Sequence, residues 1–337
     1  MTSDSSPPIR AATHVAFDPF TPDRLAQIGA TNVVRASDTL LIGPSRRDGA
    51  EHARLRKAWW GSEEEWDLLH SSAVQWEPPV VLWVSASPRD TLNLFRACSW
   101  LRDLGIPERD VLVLEFEPAP RRVPRREASD CADSVTDYPD EVLRERLATA
   151  QPLARARYDW AVDLWHAFVD PDLSRFARIC TDAQTADPRL GPVWAWLSAF
   201  FPRRTAEGAL LPSRFDGLLL RILSDEWRTA VKVFVDKSDE GEDLRHLSCC
   251  TGDLFVSARL DDWANHGLTP AVERAPGPRA DVTMLSSVYR LTEHGQRIRD
   301  QGLAQLADAP PLPMAGTEAY SPASPWVVRD DGTLARL

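Results

Sequence analysis

Residues 80–105 read VVLWVSASPRDTLNLFRACSWLRDLG. The first five are apolar without polar alternation, the mark of a strand covered on both faces. The remainder is a helix signed at both ends: Ser87 stands at the N-cap, Pro88 at the first helical position, Asp90 at the third, and Gly105 just past the end. Leu94, Cys98 and Leu101 recur along one stripe. A covered strand feeding an amphipathic helix is one step of a β-α-β series, so the fold class depends on whether the step repeats.

It repeats. THVAF (13–17) leads into TPDRLAQIG, where Thr21 is expected to cap, Pro22 to fit the first turn and Gly29 to end a helix. NVVRAS (32–37) is a second strand and DVLVLEF (110–116) a fourth, with helices expected at HARLRKAWW (52–60) and EEEWDLLHSSAVQW (63–76). Strands alternating with helices predict an α/β N-terminal domain over 12–118, an open, mostly parallel and Rossmann-like sheet with right-handed crossovers. PAPRRVPRREASD (118–130) reads as part of a linker spanning 119–135.

Beyond the linker the pattern becomes helical over 136–208, with Trp160, Leu164 and Phe168 at helical spacing and VWAWLSAFF (193–201) as a buried piece. Residues 209–303 read as three helices, LPSRFDGLLLRIL, TAVKVFV and GDLFVSARLDDWANHG, then a strand turning into a helix in SSVYRLTEHGQRI. That order predicts a winged-helix-like α+β C-terminal part. The tail, 304–337, is proline-rich, with a terminal hairpin expected around Asp331-Gly332.

A chain of 337 residues calls for two or three domains. The formal charge of −11 opposes general attraction to nucleic acid or anionic membrane. The longest strongly apolar stretch, VWAWLSAFF, falls far short of the roughly 20 residues that span a bilayer, and the first ten residues lack a signal peptide's apolar run. A cytoplasmic protein is the expectation. The five cysteines are odd in number and scattered, so no disulfide framework is expected.

In an open α/β sheet the ligand crevice lies at the carboxyl ends of the strands. Here those ends carry Asp18, then Ser37 and Asp38, then Ser85 and Ser87, then Glu115 and Glu117. The loop LLIGPSRRDGA (40–50) adds Gly43, Arg46 and Arg47. The sharpest reading is an anion held by Arg46, Arg47 and the free amides of the helix opened by Ser87, with Asp18 or Asp38 as a base. The plainer reading, which capping by itself accounts for, is that Ser87 and Asp90 cap their own helix and the arginines are solvated.

Established signatures are missing: there is no G-x-G-x-x-G after the first strand, no G-x-x-x-x-G-K-[ST], no H-E-x-x-H and no G-x-S-x-G. GPSRRDG lacks the lysine and hydroxyl that meet a nucleotide-bound magnesium. The one local metal-type cluster, His246, Cys249 and Cys250, has no second ligand pair, so neither a metal nor a cofactor is expected.

HVAFDPFTPDRL, DTLLIGPSRRD and VVLWVSASPRDTLNLF together resemble the bacterial family labelled domain of unknown function 1835, and TGDLFVSARLDDWANHG resembles its companion of the domain of unknown function 3658 type. Asp38, Ile42-Gly43-Pro44, Trp83 and Gly252-Asp253 carry the likeness. Family members tend to have a Gly-x-Ser turn where this chain has Asp18-Pro19-Phe20. The resemblance implies an α/β fold and a bacterial protein, and no activity.

The leading expectation is a protein that binds a small anionic ligand or a protein partner in a regulatory role, not an enzyme. One alternative is a phosphate- or nucleotide-handling enzyme at the strand ends. Another is a DNA-binding regulator, against which stand Asp253, Asp261 and Asp262 beside a single Arg259 in the helix that would enter the groove.

Overall fold

A computed structural model describes residues 12–61, 67–117, 134–182, 187–249 and 251–337. The described residues divide into two units. One is drawn from Met1–Leu40, Pro44–Asp170 and Ala186–Val193, the other from Leu41–Gly43, Pro171–Thr185 and Trp194–Leu337. The mixed α/β character expected from the sequence is present.

The first unit holds β1 (Thr13–Ala16), α1 (Thr21–Gln27), β2 (Asn32–Arg35), α2 (Gly49–Trp60), β4 (Val80–Val84), α3 (Pro88–Asp103), β5 (Val111–Glu115), α4 (Asp140–Ala148), β6 (Gln151–Pro152) and α5 (Arg155–Phe168). A two-residue strand, β3 (Gly43–Pro44), precedes α2. The sheet order is β2-β1-β4-β5-β6, parallel through β5 and antiparallel at β6. The chain therefore steps outward from β1 to β2 and returns across β1 to add β4. That reversal between β1 and β4 is the switch point of the sheet.

All five residues of β4 are buried, as its unbroken apolar run requires. On one face Val81, Trp83, Leu112 and Leu114 share a core with Leu25 of α1, Ile28 just beyond it and Leu143 of α4. α3 packs along α5, with Phe95 edge-on to Trp160 at 5.7 Å between ring centres. Trp83 Nε1 donates to His14 Nδ1 at 3.0 Å between β4 and β1, so His14 finds a partner on the neighbouring strand and not in a loop.

Two local expectations are corrected. Thr21 does not cap α1. Asp18, three residues earlier, accepts from the amides of Phe20 and Thr21, both at 2.9 Å, because a carboxylate there reaches two free amides where a hydroxyl reaches one. The helix expected over 63–76 is not formed by its described residues. Asp67 bridges Ala36 and residues 68–76 run through turns, with the Leu68 amide donating to Arg35 O at 2.7 Å and the Asp67 carboxylate accepting from Arg96. Pairing to the end of β2 consumes backbone groups that a helix would have used internally. The linker expected at 119–135 lies largely outside the described residues.

The second unit contains α6 (Ser174–Asp182), most of α7 (Leu190–Ser198), β7 (Arg203–Arg204), β8 (Leu210–Leu211), α8 (Arg214–Ile222), β9 (Arg228–Thr229), α9 (Ala230–Phe234), α10 (Asp239–Ser248), α11 (Leu254–Asn265), β10 (Val272–Pro276), β11 (Ser287–Leu291) and α12 (Glu293–Gln301). β12 (Leu312–Ala315), β13 (Thr317–Ala319), β14 (Trp326–Arg329) and β15 (Leu334–Arg336) end the chain, the last two as an antiparallel hairpin. β10, β11 and β9 form an antiparallel sheet in that order. β15, β14, β7 and β8 form a second sheet, in which β14 and β7 run parallel.

The core of this unit has an ionic centre. Asp216 and Arg259 are 1% and 0% exposed and paired through Nε and one Nη at 2.8 and 3.0 Å. Trp263 Nε1, Tyr320 Oη and Ser213 Oγ also donate to Asp216, at 2.9, 2.6 and 3.0 Å. Beside it Phe215 packs on Phe200 and on Phe255, each at 5.1 Å. No helix among the described residues is long and apolar enough to cross a membrane.

Candidate functional site: a cavity at the carboxyl ends of β4 and β5

At the end of β1, Asp18 is buried. Beyond the two amides it caps, it accepts from Thr21 Oγ1 and from Ser134 Oγ, the latter at 3.0 Å. At the end of β4, Ser87 accepts from the Asp90 amide at 3.2 Å, while Asp90 Oδ2 accepts from the Ser85 amide at 3.0 Å and from Ser85 Oγ at 2.6 Å. Burial pushes the Asp90 carboxyl above its ordinary range, and the nearby Asp18 adds to this against the pull of Arg89 and Ser85. A carboxyl displaced toward its neutral form is a poor base, so this cluster suits holding the turn more than activating the Ser85 hydroxyl.

Asp38, after β2, sits in a separate buried cluster. Arg56 Nε donates to it at 2.8 Å, His52 Nε2 and Arg96 Nη1 lie 3.5 and 3.6 Å away, and Asn93 Nδ2 donates to its backbone carbonyl at 2.8 Å. Burial would raise the Asp38 carboxyl, but Arg56, His52 and Arg96 outweigh it and hold it far below the carboxylate range. His52 Nδ1 accepts from the Arg46 amide at 3.3 Å. The Arg46 guanidinium turns to Ser45 O at 2.8 Å and toward Glu51 at 3.7 Å, while Arg47 is exposed, Ser37 is half-buried and Gly43 takes a positive φ of 80°. The loop 40–50 is thus fastened through its backbone.

The cavity of this unit lies farther along the sheet. It encloses about 740 Å³ beyond β4 and β5, where Ser85 and Ala86 end one wall and Glu115, Phe116 and Glu117 another. Ala156, Arg157 and Trp160 of α5, with Asp187, Pro188, Arg189 and Pro192, complete it. Glu115 accepts from both Arg157 and Arg189. Arg189 also holds Asp187 through Nε and Nη2, at 3.0 and 2.7 Å. Phe116 is stacked on Trp83, which fixes the floor next to Glu115. Two guanidinium groups therefore stand among apolar surfaces in a concave space, where desolvation strengthens their interaction with an anion.

Of the residues expected at the site, Ser85 lines this cavity. Asp18, Ser37, Asp38, Gly43, Arg46, Arg47 and Ser87 do not, and they fall into the separate clusters just described. Glu115 and Glu117, expected at the strand ends, line it as well. Arg157 and Arg189 carry no motif. The one trace in the sequence was the position of Arg157 in the first turn of a helix that follows the last strand. Among the described residues no group of three His, Cys, Asp or Glu could hold a metal ion; His246 packs on Trp196 at 4.9 Å, and Cys250 lies outside them. No family model matches this chain, and searches of curated proteins and of solved structures gave no match.

Proposed function

We propose that the chain is a small-molecule-binding protein of regulatory type, and that its ligand sits in the cavity at the carboxyl ends of β4 and β5. The observation that carries this is the cavity itself. At about 740 Å³ it falls within the roughly 300–1,000 Å³ typical of ligand sites. Trp160, Phe116, Pro188 and Pro192 offer apolar surface, and Arg157 offers guanidinium donors beyond those given to Glu115. An apolar or aromatic body bearing a carboxylate or phosphate suits this lining. An enzymatic role at the same place has less support, because no hydroxyl or thiol there faces an available base.

The test is a thermal-shift screen of nucleotides, sugar phosphates and aromatic carboxylates. Ligands that raise the melting temperature of the native chain should leave the R157A variant unmoved, by the linkage of binding to stability. A screen without any shift would remove the reading.

A second reading concerns the second unit. Its order α8, β9, α9, α10, α11, β10, β11, with β11 central in the sheet, is that of a winged helix, in which α11 would be the recognition helix. Arg259, the one cation of α11, is buried against Asp216, leaving Asp253, Asp261 and Asp262 to define its charge. That favours a regulatory module docking on protein over one gripping phosphates. Tight duplex binding in a low-salt gel shift would reverse the preference. Kinship with the domain of unknown function 1835 family is kept as a proposal on the motifs quoted above.

A further inference from the structure

We infer that Arg203 of β7 and Arg221 of α8, with Arg214 beside them, form a second ligand site, on the second unit, for a small phosphate-class oxyanion. The observation behind it is a break in the charge pattern. Arginines elsewhere in this unit meet a carboxylate: Arg228 reaches Asp236 at 2.8 Å, Arg274 reaches Asp261 at 3.1 Å and Arg290 reaches Glu273 at 2.7 Å. Among the described residues Arg203 and Arg221 have no such partner within 4.0 Å, in a chain whose formal charge is −11.

Arg203 is half-buried and its Nε is shielded from solvent without a hydrogen-bond acceptor, an arrangement that native proteins ordinarily complete with a partner. Asp330, the nearby carboxylate, is exposed and accepts from the Ala206 amide at 3.0 Å. Arg221 lies back along its own helix. A Cβ placed on Gly217 would come within 3.4 Å of Arg221 Nη1, so the mid-helix glycine leaves the guanidinium room. Burial lowers the affinity of Arg203 for its proton, and the charges of Arg221 and Arg214 lower it further, which places three guanidinium groups within electrostatic reach of one another. Arg214 is also paired with Asp243 at 3.1 Å across an exposed contact that an incoming anion can share. A tetrahedral oxyanion accepts several planar guanidinium groups at once and relieves their mutual repulsion.

The experiment is calorimetric titration of the full chain with pyrophosphate and, separately, inorganic phosphate at low ionic strength, set against R221A, R203K and R157A. Saturable binding should appear in the native chain and in R157A. It should weaken by about tenfold or more in R221A, the loss of one charge-assisted contact. R203K, which keeps the charge and loses the planar fork, should weaken it too. Because Arg221 is exposed, the melting temperature of R221A without ligand should equal that of the native chain. Undiminished binding in R221A, absence of binding, or binding lost in R157A instead would overturn the assignment, the last by placing the anion in the first unit's cavity. Duplex DNA bound more tightly than pyrophosphate and released by R221A would equally overturn it, in favour of a polymer.

Discussion

Glu115, the last residue of β5, and Arg157, in the first turn of α5, form an ion pair in the wall of the cavity. The pair is part-exposed, with side chains 33% and 37% accessible, so it contributes at most about 1 kcal/mol to folding. R157A should therefore melt within a few degrees of the native chain in the absence of ligand, while losing the ligand-induced shift. Paired melting curves, with and without the best ligand from the screen, check both halves.

Asp216 and Arg259 make the opposite case, since both are buried and mutually satisfied. R259A leaves a carboxylate in the core with its main counter-charge gone, which costs about 3–5 kcal/mol. Denaturant unfolding followed by tryptophan fluorescence should show the loss. R259A unfolding at the native midpoint would mean that the ionic centre does not hold the second unit.

Gly49 opens α2 beneath His70 and Trp100. A Cβ there would stand 2.7 Å from His70 Nδ1 and 2.7 Å from the Trp100 ring. G49A should destabilise by about 1–3 kcal/mol through overpacking, although alanine is the better helix former. Burial pushes His70 down to about 2, so this site stays neutral through the usual range and the cost should not vary between pH 5 and 8. Melts at several pH values test both points.

The pH dependence has two signs. Asp38 and Asp216 are held below the ordinary carboxylate value in the folded chain, so their contribution is present above about pH 4 and is lost as pH falls through their folded values. Asp90 is raised, so its contribution is full at low pH and is lost as pH rises through its folded value. D90N keeps an acceptor for Ser85 without the buried charge. Its melting temperature should match the native one near pH 4 and exceed it at pH 8. A constant offset across that range would show that Asp90 does not titrate as described.

What the sequence made legible follows from what is local. The unbroken apolar run at 80–84 could only be a covered strand, and Ser87, Pro88 and Gly105 fixed the helix behind it, because caps act within a few residues. The helix expected at 63–76 failed because Leu68 and Asp67 are committed to Arg35 and Arg96, distant partners that no local pattern announces. The site divides the same way. Ser85, Glu115 and Glu117 were legible as strand ends. Arg157 and Arg189 meet Glu115 across separations of 42 and 74 residues, which only the tertiary fold creates. Arg46 and Arg47 drew notice through their glycines, yet His52 and Ser45 already hold that loop in place.

Crystals of the full chain soaked with a library of small aromatic acids give the most direct measurement of the central claim. Fragment density should gather beyond β4 and β5, against Trp160 and within hydrogen-bond distance of Arg157. Density found only elsewhere on the chain, or a cavity closed by its own side chains, would contradict the account.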